Sequence, residues 1–293
     1  MYRQITVKGK HQALQQILWR DSPKEKIQCF QLNRVTYGTA SASYLATRCL
    51  LQLAQDEGTN FPLAARAIEN NCYVDDVMIG TSNVETALRL QTELIQLLGK
   101  GNFELHKWYS NDSRVLNNID KNKREKCSFQ FSDGDSIIKT LGLIWNPHTD
   151  VFQISVPNEI MNSKNTKREI LSCIAKLFDP LGLIAPVCVS AKIDMQKIWR
   201  EKLNWDDSVP DEILEMWISL KGSFETLKDL FIPRLISTAN SIRYQLHGFA
   251  DSSLMAYGCA IYLVSFDSHN KGAARLVCSK SRVAPIKPVT LPR

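Results

Sequence analysis

Two short runs of β-forming residues flank a pair of adjacent carboxylates, Asp75 and Asp76. The flanking runs, residues 72–74 and 77–79, favour strands, so the pattern predicts a hairpin with both carboxylates at its tip. Two neighbouring negative charges repel unless a cation neutralises them, and hard cations such as Mg²⁺ prefer carboxylate oxygen. An Asp-Asp pair alone is usually only a turn, but two carboxylates at the tip of a hairpin are candidate metal ligands of the kind that paired ions need.

Composition limits the class of protein. The chain has 293 residues, 44% of them hydrophobic, which is enough for one large or two modest packed domains. Its formal net charge of +6 fits a nucleic-acid partner without requiring one. No apolar run reaches the ~20 residues of a membrane span, and the N-terminus has no signal-peptide core. We therefore expect an intracellular, cytoplasmic protein without a membrane partner, whose eight cysteines are buried, reduced thiols.

Hydrophobic periodicity predicts an α+β chain. A β-hairpin is expected over residues 15–32, and the helix over 83–98 is expected to begin at Ser82, with Glu85 completing a capping box, and to end at Gly99. A second capping box is predicted at Thr166 and Glu169. Further helices are expected over residues 41–57, from 186 and from 211, and strands over 138–145, 151–156, 243–250, 257–265 and 275–280. We place domain boundaries near residues 160 and 240, which divides the chain into 1–160, 161–240 and 241–293.

The motifs resemble those of a known enzyme class. The tetrad at residues 73–76, followed by an apolar strand, is similar to the catalytic hairpin of reverse transcriptases. Residues 32–43 resemble the segment that lies against the incoming nucleotide and template, although Ser43 stands where that family usually has Pro. Residues 141–145 resemble the primer-gripping hairpin, and residues 101–108 resemble the segment between these two hairpins.

A longer run narrows the family. Residues 175–186 resemble the signature of BEL/Pao retrotransposon polyproteins, and residues 61–65 and 280–285 resemble the same group. The resemblance implies a reverse-transcriptase palm with thumb, a helical connection, and then the start of an RNase H-like α/β domain. This region is often labelled a Pao-type peptidase domain, but the Asp-Thr/Ser-Gly loop of an aspartic peptidase is missing from the sequence.

The resemblance also implies a set of site residues. Asp75 and Asp76 would be catalytic metal ligands of the polymerase, and Asp251, after the strand at residues 246–250, would be the first metal ligand of RNase H. The implied metal is Mg²⁺ (or Mn²⁺), and the implied partners are RNA template, DNA primer, RNA–DNA hybrid and dNTP. The implied contacts to nucleotide or template are Tyr2, Tyr37, Gly38, Tyr73 and Lys107, and the implied primer grip is Leu141, Gly142 and Trp145.

Both implied active sites are expected to be incomplete. The upstream polymerase Asp of the family would fall just before Met1, and the next RNase H carboxylate would fall just after Arg293. The strands after residue 240 are expected to form a sheet with one face uncovered. Two alternatives stay open: a catalytically dead nucleic-acid-binding remnant, and an aspartic peptidase of the Pao type.

Overall fold

The computed structural model describes residues 1–125, 138–140, 143–156, 160–238 and 240–286. The chain forms two compact units, Met1–Lys126 and Cys127–Arg293. The boundaries expected near residues 160 and 240 fall inside the second unit and stay predictions. Among the described helices, none is long and apolar enough to cross a membrane.

The first unit is mostly helical, with two small hairpins. β1 and β2 pair antiparallel, which confirms the hairpin predicted over residues 15–32. β3 and β4 form a second antiparallel hairpin. The elements are α1 (Gly9–Gln12), β1 (Gln16–Trp19), β2 (Gln28–Gln31), α2 (Ala42–Glu57), α3 (Pro62–Asn71), β3 (Cys72–Tyr73), β4 (Asp76–Val77), α4 (Val84–Lys100) and α5 (Ser113–Leu116).

The core of this unit lies between α2, α3 and α4. Small side chains on α2 and α3 let the helices approach closely, and leucines of α4 fill the remaining space. Glu93 of α4 is buried, and its Oε2 accepts hydrogen bonds from the N–H groups of Leu63 and Ala64 at 2.8 and 3.3 Å. This carboxylate therefore caps the N-terminus of α3, a helix that the sequence analysis did not predict.

The ends of α4 differ from the prediction. The N-cap is Asn83 instead of Ser82, because Asn83 has the extended backbone of a cap and its Oδ1 accepts from the N–H of Thr86 at 2.8 Å. The helix passes through Gly99 and ends at Lys100. Gly101 follows as the C-cap, where a Cβ would lie only 2.8 Å from the side chain of Leu53.

The described residues of the second unit form two sheets and three α-helices. The strand predicted over residues 138–145 is instead two antiparallel strands, β5 and β6, and β8 is an unpredicted strand beside β7. The elements are β5 (Ile138–Thr140), β6 (Leu143–Asn146), β7 (Val151–Gln153), α6 (Lys167–Ala175), α7 (Ala185–Arg200), α8 (Asp211–Thr226), β8 (Phe231–Pro233), β9 (Arg243–Ser252), β10 (Ala256–Phe266) and β11 (Gly272–Val283).

The core of the second unit is formed by α6, α7 and α8. Trp217 and Phe224 of α8 are fully buried and make an edge-to-face contact with centroids 6.1 Å apart. The N-cap predicted for α6 is confirmed, because the Thr166 hydroxyl accepts from the N–H of Glu169 at 3.3 Å. The three predicted helices of this region are therefore present, packed around one apolar cluster.

The C-terminal sheet has the order β11-β10-β9, and all its pairings are antiparallel. These strands confirm the three predicted after residue 240. Every residue of β9 is exposed, and Leu246 keeps 71% of its surface. The expected uncovered surface is therefore present along β9, whereas α7 contacts the other edge strand, β11.

The expectation of buried thiols is only partly correct. All seven described cysteines are free, and Cys173 is buried. Cys29 and Cys259 are exposed. Cys29 lies on β2, which is exposed throughout, and Cys259 lies on β10, where exposed residues alternate with half-buried ones. Cys127 lies outside the described residues.

Candidate functional site

The β3–β4 hairpin presents the two carboxylates as the sequence predicts. α3 ends at Asn71, β3 begins at the next residue, and Tyr73 pairs with Asp76 across the hairpin. Asp75 lies in the turn and Asp76 begins β4, and both are exposed. Within the described residues, neither carboxylate has a hydrogen-bond or ion-pair partner, so both are available to a ligand.

The turn of this hairpin is strained. Val74, the first turn residue, has a φ of 57°, in the left-handed region that a β-branched residue rarely adopts. Backbone strain of this kind costs on the order of 1–3 kcal/mol and is found most often at functional sites. The strained turn is consistent with a tip whose geometry is set by function.

The base of the hairpin is apolar. Cys72 and Val77 pack against the core of α2, α3 and α4. Burial, and then the negative charges of Asp75 and Asp76, raises the pKa of the Cys72 thiol. The field of both carboxylates therefore reaches the protein interior, as expected for two like charges held close together without a counter-ion.

Three of the predicted nucleotide contacts lie near the start of α2. The hydroxyl of Tyr2 is 3.2 Å from Oγ of Ser43, the residue that replaces the Pro of the family. Gly38 has a φ of 89°, and no atom lies within 4 Å of the position that a Cβ would take. Glycine is therefore needed there for its backbone conformation. The neighbouring Tyr37 is 64% exposed, so its ring is open to a partner.

Tyr73 and Lys107 are both on the surface. Tyr73 is 62% exposed and shares the hairpin with the two carboxylates. Lys107 is exposed and has a φ of 58°, but no contact joins its side chain to Asp75 or Asp76 in the described part of the chain.

Four basic residues, Lys121, Lys123, Arg124 and Lys126, lie close together in the sequence. Two of them, Lys123 and Arg124, bind other groups of the protein. Nζ of Lys123 lies 2.6 Å from Oε1 of Glu104, and the guanidinium of Arg124 donates to the carbonyl of Ile119. The hydrogen bond from Lys123, followed by that from His106, lowers the pKa of Glu104. The Glu104 carboxylate therefore offsets the positive charge that Lys123 could offer to phosphate.

Only one predicted primer-grip residue can be placed. Leu141 and Gly142 lie outside the described residues. Trp145 is 8% exposed, and its indole N–H donates to Oδ1 of Asp150 at 3.0 Å. Arg234 binds the same carboxylate with two hydrogen bonds of 2.6 and 2.9 Å. The Trp145 side chain is therefore held within the sheet by Asp150, and its role in a primer grip stays a prediction.

Asp251 lies near the end of β9, beside the turn that leads to β10. It is exposed, it faces Gly258 across the sheet, and its Oδ1 accepts from the N–H of Ser252 at 2.8 Å. Among the described residues, no group of three or more His, Cys, Asp and Glu could hold a metal ion. The described part of the chain thus presents two carboxylates at residues 75–76 and one at residue 251.

The run at residues 175–186 forms a structural clasp that the sequence analysis did not foresee. The two oxygens of Asp179 accept from the N–H groups of Leu183 and Ile184 at 2.7 and 2.9 Å, which holds the turn that leads into α7. The N–H of Ser279 on β11 donates to the carbonyl of Leu181 at 2.8 Å, and the Ser279 hydroxyl donates to the carbonyl of Gly182. The Asp-Pro pair followed by Gly in the sequence was a detectable signal for this turn.

One known family resembles the C-terminal part of the chain. Residues 166–293 match the model of the Pao retrotransposon-like RNaseH-like domain, a span that begins at the N-cap of α6 and includes β9, β10 and β11. A search of curated proteins finds no match to the chain. Residues 166–293 thus carry a Pao retrotransposon-like RNaseH-like domain, which supports the Pao-type retrotransposon Pol polyprotein that the motifs predict.

Proposed function

We propose that the chain takes part in copying element RNA into DNA, as part of a reverse transcriptase with RNase H. Its partners in this reaction would be the RNA template, the DNA primer, the RNA–DNA hybrid and dNTP. The matched RNaseH-like domain supports a nucleic-acid-related function for residues 166–293. The more specific polymerase role rests on the first unit and its resemblance to reverse transcriptases.

One observation carries the polymerase proposal. The β3–β4 hairpin holds Asp75 and Asp76 exposed and without hydrogen-bond or ion-pair partners among the described residues, on an apolar base that is packed into a three-helix core. Adjacent carboxylates without a counter-ion repel each other. If the hairpin bound no ligand, a neutral side chain in place of one carboxylate would remove that repulsion. The sequence instead keeps both at a strained turn.

The donor set fits Mg²⁺ or Mn²⁺. Magnesium is usually held in proteins by one or two carboxylates, with water and substrate phosphates completing its coordination. Bound there, the ion would stabilise negative charge on the transferring phosphoryl group. Asp75 would be the main ligand, with Asp76 in support, and Tyr73 would line the same surface. Tyr2, Tyr37 and Gly38 would position the nucleotide and template, and Lys107 would assist the leaving pyrophosphate.

In the second unit, Asp251 is the corresponding residue in our proposal. Its carboxylate is exposed near the end of β9, and one of its oxygens is oriented by the N–H of Ser252. A phosphate of the RNA strand would supply further oxygen ligands when the hybrid is bound. Asp251 would then be one ligand of a metal that acts on RNA within an RNA–DNA hybrid.

Metal binding without catalysis tests the polymerase proposal. Mn²⁺ would be titrated into the protein while the free ion is measured by electron paramagnetic resonance. We expect Asp75→Asn to lose the bound ion and Asp76→Asn to weaken it, because a neutral amide is a poorer ligand for a hard cation. Asp56→Asn is the control, since Asp56 is an exposed residue of α2 whose carboxylate accepts a hydrogen bond from the Gln52 side chain. Equal Mn²⁺ binding by Asp75→Asn and the unmodified protein would refute the assignment.

A second candidate is a nucleic-acid-binding protein without catalysis. It is favoured by the net charge of +6, since a basic protein attracts nucleic acid whether or not it is catalytic. Metal-dependent primer extension distinguishes the two candidates, since only the first predicts product. The aspartic peptidase gains no support, because the matching domain is described as RNaseH-like and the sequence has no Asp-Thr/Ser-Gly loop.

A further inference from the structure

Positive charge is concentrated at one end of the chain. Residues 1–34 contain seven Lys and Arg but only two Asp and Glu, which is a net charge of +5 out of +6 for the whole chain. Three of these cations, Arg20, Lys24 and Lys26, lie at or near the tip of the β1–β2 hairpin. A local excess of this kind attracts polyanions and weakens with salt.

The same hairpin exposes an apolar, aromatic face. Cross-strand pairs place Ile17 opposite Phe30 and Trp19 opposite Gln28, so these four side chains share one face. Ile17 is 44%, Trp19 57% and Phe30 43% exposed. A contiguous exposed apolar face in a folded protein usually marks an interaction site.

The aromatic face is held in a fixed conformation. The indole N–H of Trp19 donates to Oδ1 of Asp21 at 2.9 Å, and the guanidinium of Arg20 donates to the carbonyl of Pro23 at 3.0 Å. The tip of the hairpin is thus ordered by its own side chains. A preorganised aromatic ring loses less conformational entropy when a partner stacks on it.

The hairpin is also joined to the predicted template segment. The carbonyl of Gln15 accepts from the N–H of Leu32 at 2.8 Å, which closes the base of the hairpin. The Gln15 side chain then accepts from the N–H of Thr36 at 3.2 Å and donates to the carbonyl of Arg34 at 3.4 Å. Gln15 therefore connects the hairpin directly to the polypeptide segment that leads into Tyr37.

We propose that the β1–β2 hairpin binds single-stranded nucleic acid, with bases stacked on Trp19 and Phe30 and phosphates contacted by Arg20, Lys24 and Lys26. Aromatic rings interleaved with cations are the usual platform for single strands, because every base offers a π-face. A duplex keeps its bases stacked inside and offers a protruding ring no such face. The inference rests on the proposed function, because the nucleic-acid strand bound by the hairpin would be the one that continues past Tyr37.

The test uses fluorescence anisotropy of labelled oligothymidylate of about 12 nucleotides, within the site sizes usual for single-strand binders. Trp19→Ala should weaken binding about tenfold or more, and Trp19→Phe should retain binding within about threefold, because the ring is kept. Leu18→Ala is the matched control, since Leu18 is 71% exposed on the opposite face of the same strand, and it should change binding by less than about twofold. Lys24→Gln combined with Lys26→Gln should lower the salt slope by about 0.7 for each phosphate that is no longer neutralised.

Three results of the binding assay would overturn the inference. They are no binding of the oligonucleotide by the unmodified protein, equal binding by Trp19→Ala, and an equal loss in Leu18→Ala. Self-association that Trp19→Ala abolishes, without oligonucleotide binding, would assign the face to a protein partner and also overturn it. If Trp19→Ala fails to fold, as judged by circular dichroism, Trp19→Phe and the two lysine changes decide the result.

The same samples separate this inference from the proposed function. Mn²⁺ binding at Asp75 and binding of an RNA–DNA hybrid would be measured on the Trp19→Ala protein. If both persist while single-strand binding disappears, the hairpin inference is supported. If the unmodified protein binds Mn²⁺ and hybrid but no single strand, the hairpin inference fails alone. If it binds neither Mn²⁺ nor hybrid, the proposed function fails as well.

Discussion

Gly182 lies directly against the backbone of Ser279, and the space between them cannot hold a Cβ. Gly182 also has a φ of 71°, which side-chain-bearing residues rarely adopt. The glycine of the Pao-like signature therefore fixes the loop before α7 to the edge of β11.

We expect Gly182→Ala to destabilise the second unit by about 2–4 kcal/mol, because backbone strain and overpacking add at this position. The free energy of unfolding in urea measures the effect. Gly222→Ala is the control, since Gly222 lies inside α8 with no atom within 4 Å of a new Cβ, and alanine favours a helix. A Gly182→Ala protein as stable as the unmodified one would contradict the proposed clasp.

The Asp150–Arg234 ion pair should contribute more stability than the Arg168–Asp206 pair. Both are bidentate, but Arg234 and Asp150 have side chains 35% and 25% exposed, against 55% and 77% for Arg168 and Asp206. Asp150→Asn should therefore cost about 1–3 kcal/mol, whereas Asp206→Asn should have a smaller effect, because water screens the exposed pair. Urea unfolding of the two variants provides the comparison, and equal effects would show that burial of the first pair has no consequence.

Cys72 reports the charge at the hairpin tip. Burial is the largest cause of the raised pKa of Cys72, and the charges of the two carboxylates come next. Removing one of these charges should therefore lower that pKa. We expect Asp75→Asn and Asp76→Asn each to speed alkylation of Cys72 by iodoacetamide at about pH 8, because the thiolate is the reactive form.

Peptide mass spectrometry after timed alkylation would separate Cys72 from the other thiols. The exposed Cys29 serves as an internal control, since it lies on β2 away from the β3–β4 hairpin in sequence. An unchanged Cys72 rate with an unchanged Cys29 rate would show that the carboxylates do not act on the thiol as the geometry predicts.

Cys188 gives a pH dependence to the second unit. Burial, and then the charge of Asp179, raises the pKa of Cys188 from 9.0 to about 11, while Lys192 lowers it. The folded state thus holds its proton more tightly than the unfolded chain, so the stabilising contribution is present below pH 9.0 and is lost as the pH rises through about 11. The urea midpoint should fall over that range, and Cys188→Ala should reduce the fall. A fall of equal size in Cys188→Ala would assign it to other groups.

The sequence predicted the parts of the fold whose signals are local. The hairpin at residues 72–77 follows from apolar flanks around two acids, and β9, β10 and β11 follow from long β-forming runs. The cap of α6 was predicted because Thr166 and Glu169 stand at the spacing that a capping box requires.

The rest depends on contacts between distant residues. α3 was missed because its buried face is mainly alanine, which gives a weak hydrophobic period, and because its N-terminus is capped by Glu93 of another helix. β8 was missed because it is three residues long and pairs with β7 about 80 positions earlier, a register fixed by Arg234 and Asp150. The burial of Trp145 follows from that same long-range pairing.

The candidate site was predicted more fully than its surroundings. The exposed tip at Asp75 and Asp76 is what the local pattern implies, whereas the contact between Tyr2 and Ser43 joins residues 41 positions apart. The aromatic face of β1–β2 also needed the structure, because only the register shows that Trp19 and Phe30 share one side.

The most direct test of the account is the binding of a labelled RNA–DNA hybrid at increasing salt. If the chain handles nucleic acid through phosphate contacts, counterion release requires affinity to fall steeply, by about tenfold or more between roughly 50 mM and 200 mM salt. Fluorescence anisotropy of the unmodified protein measures this slope. A steep fall would agree with the proposed role in reverse transcription, and an affinity that is absent, or constant across this range, would contradict it.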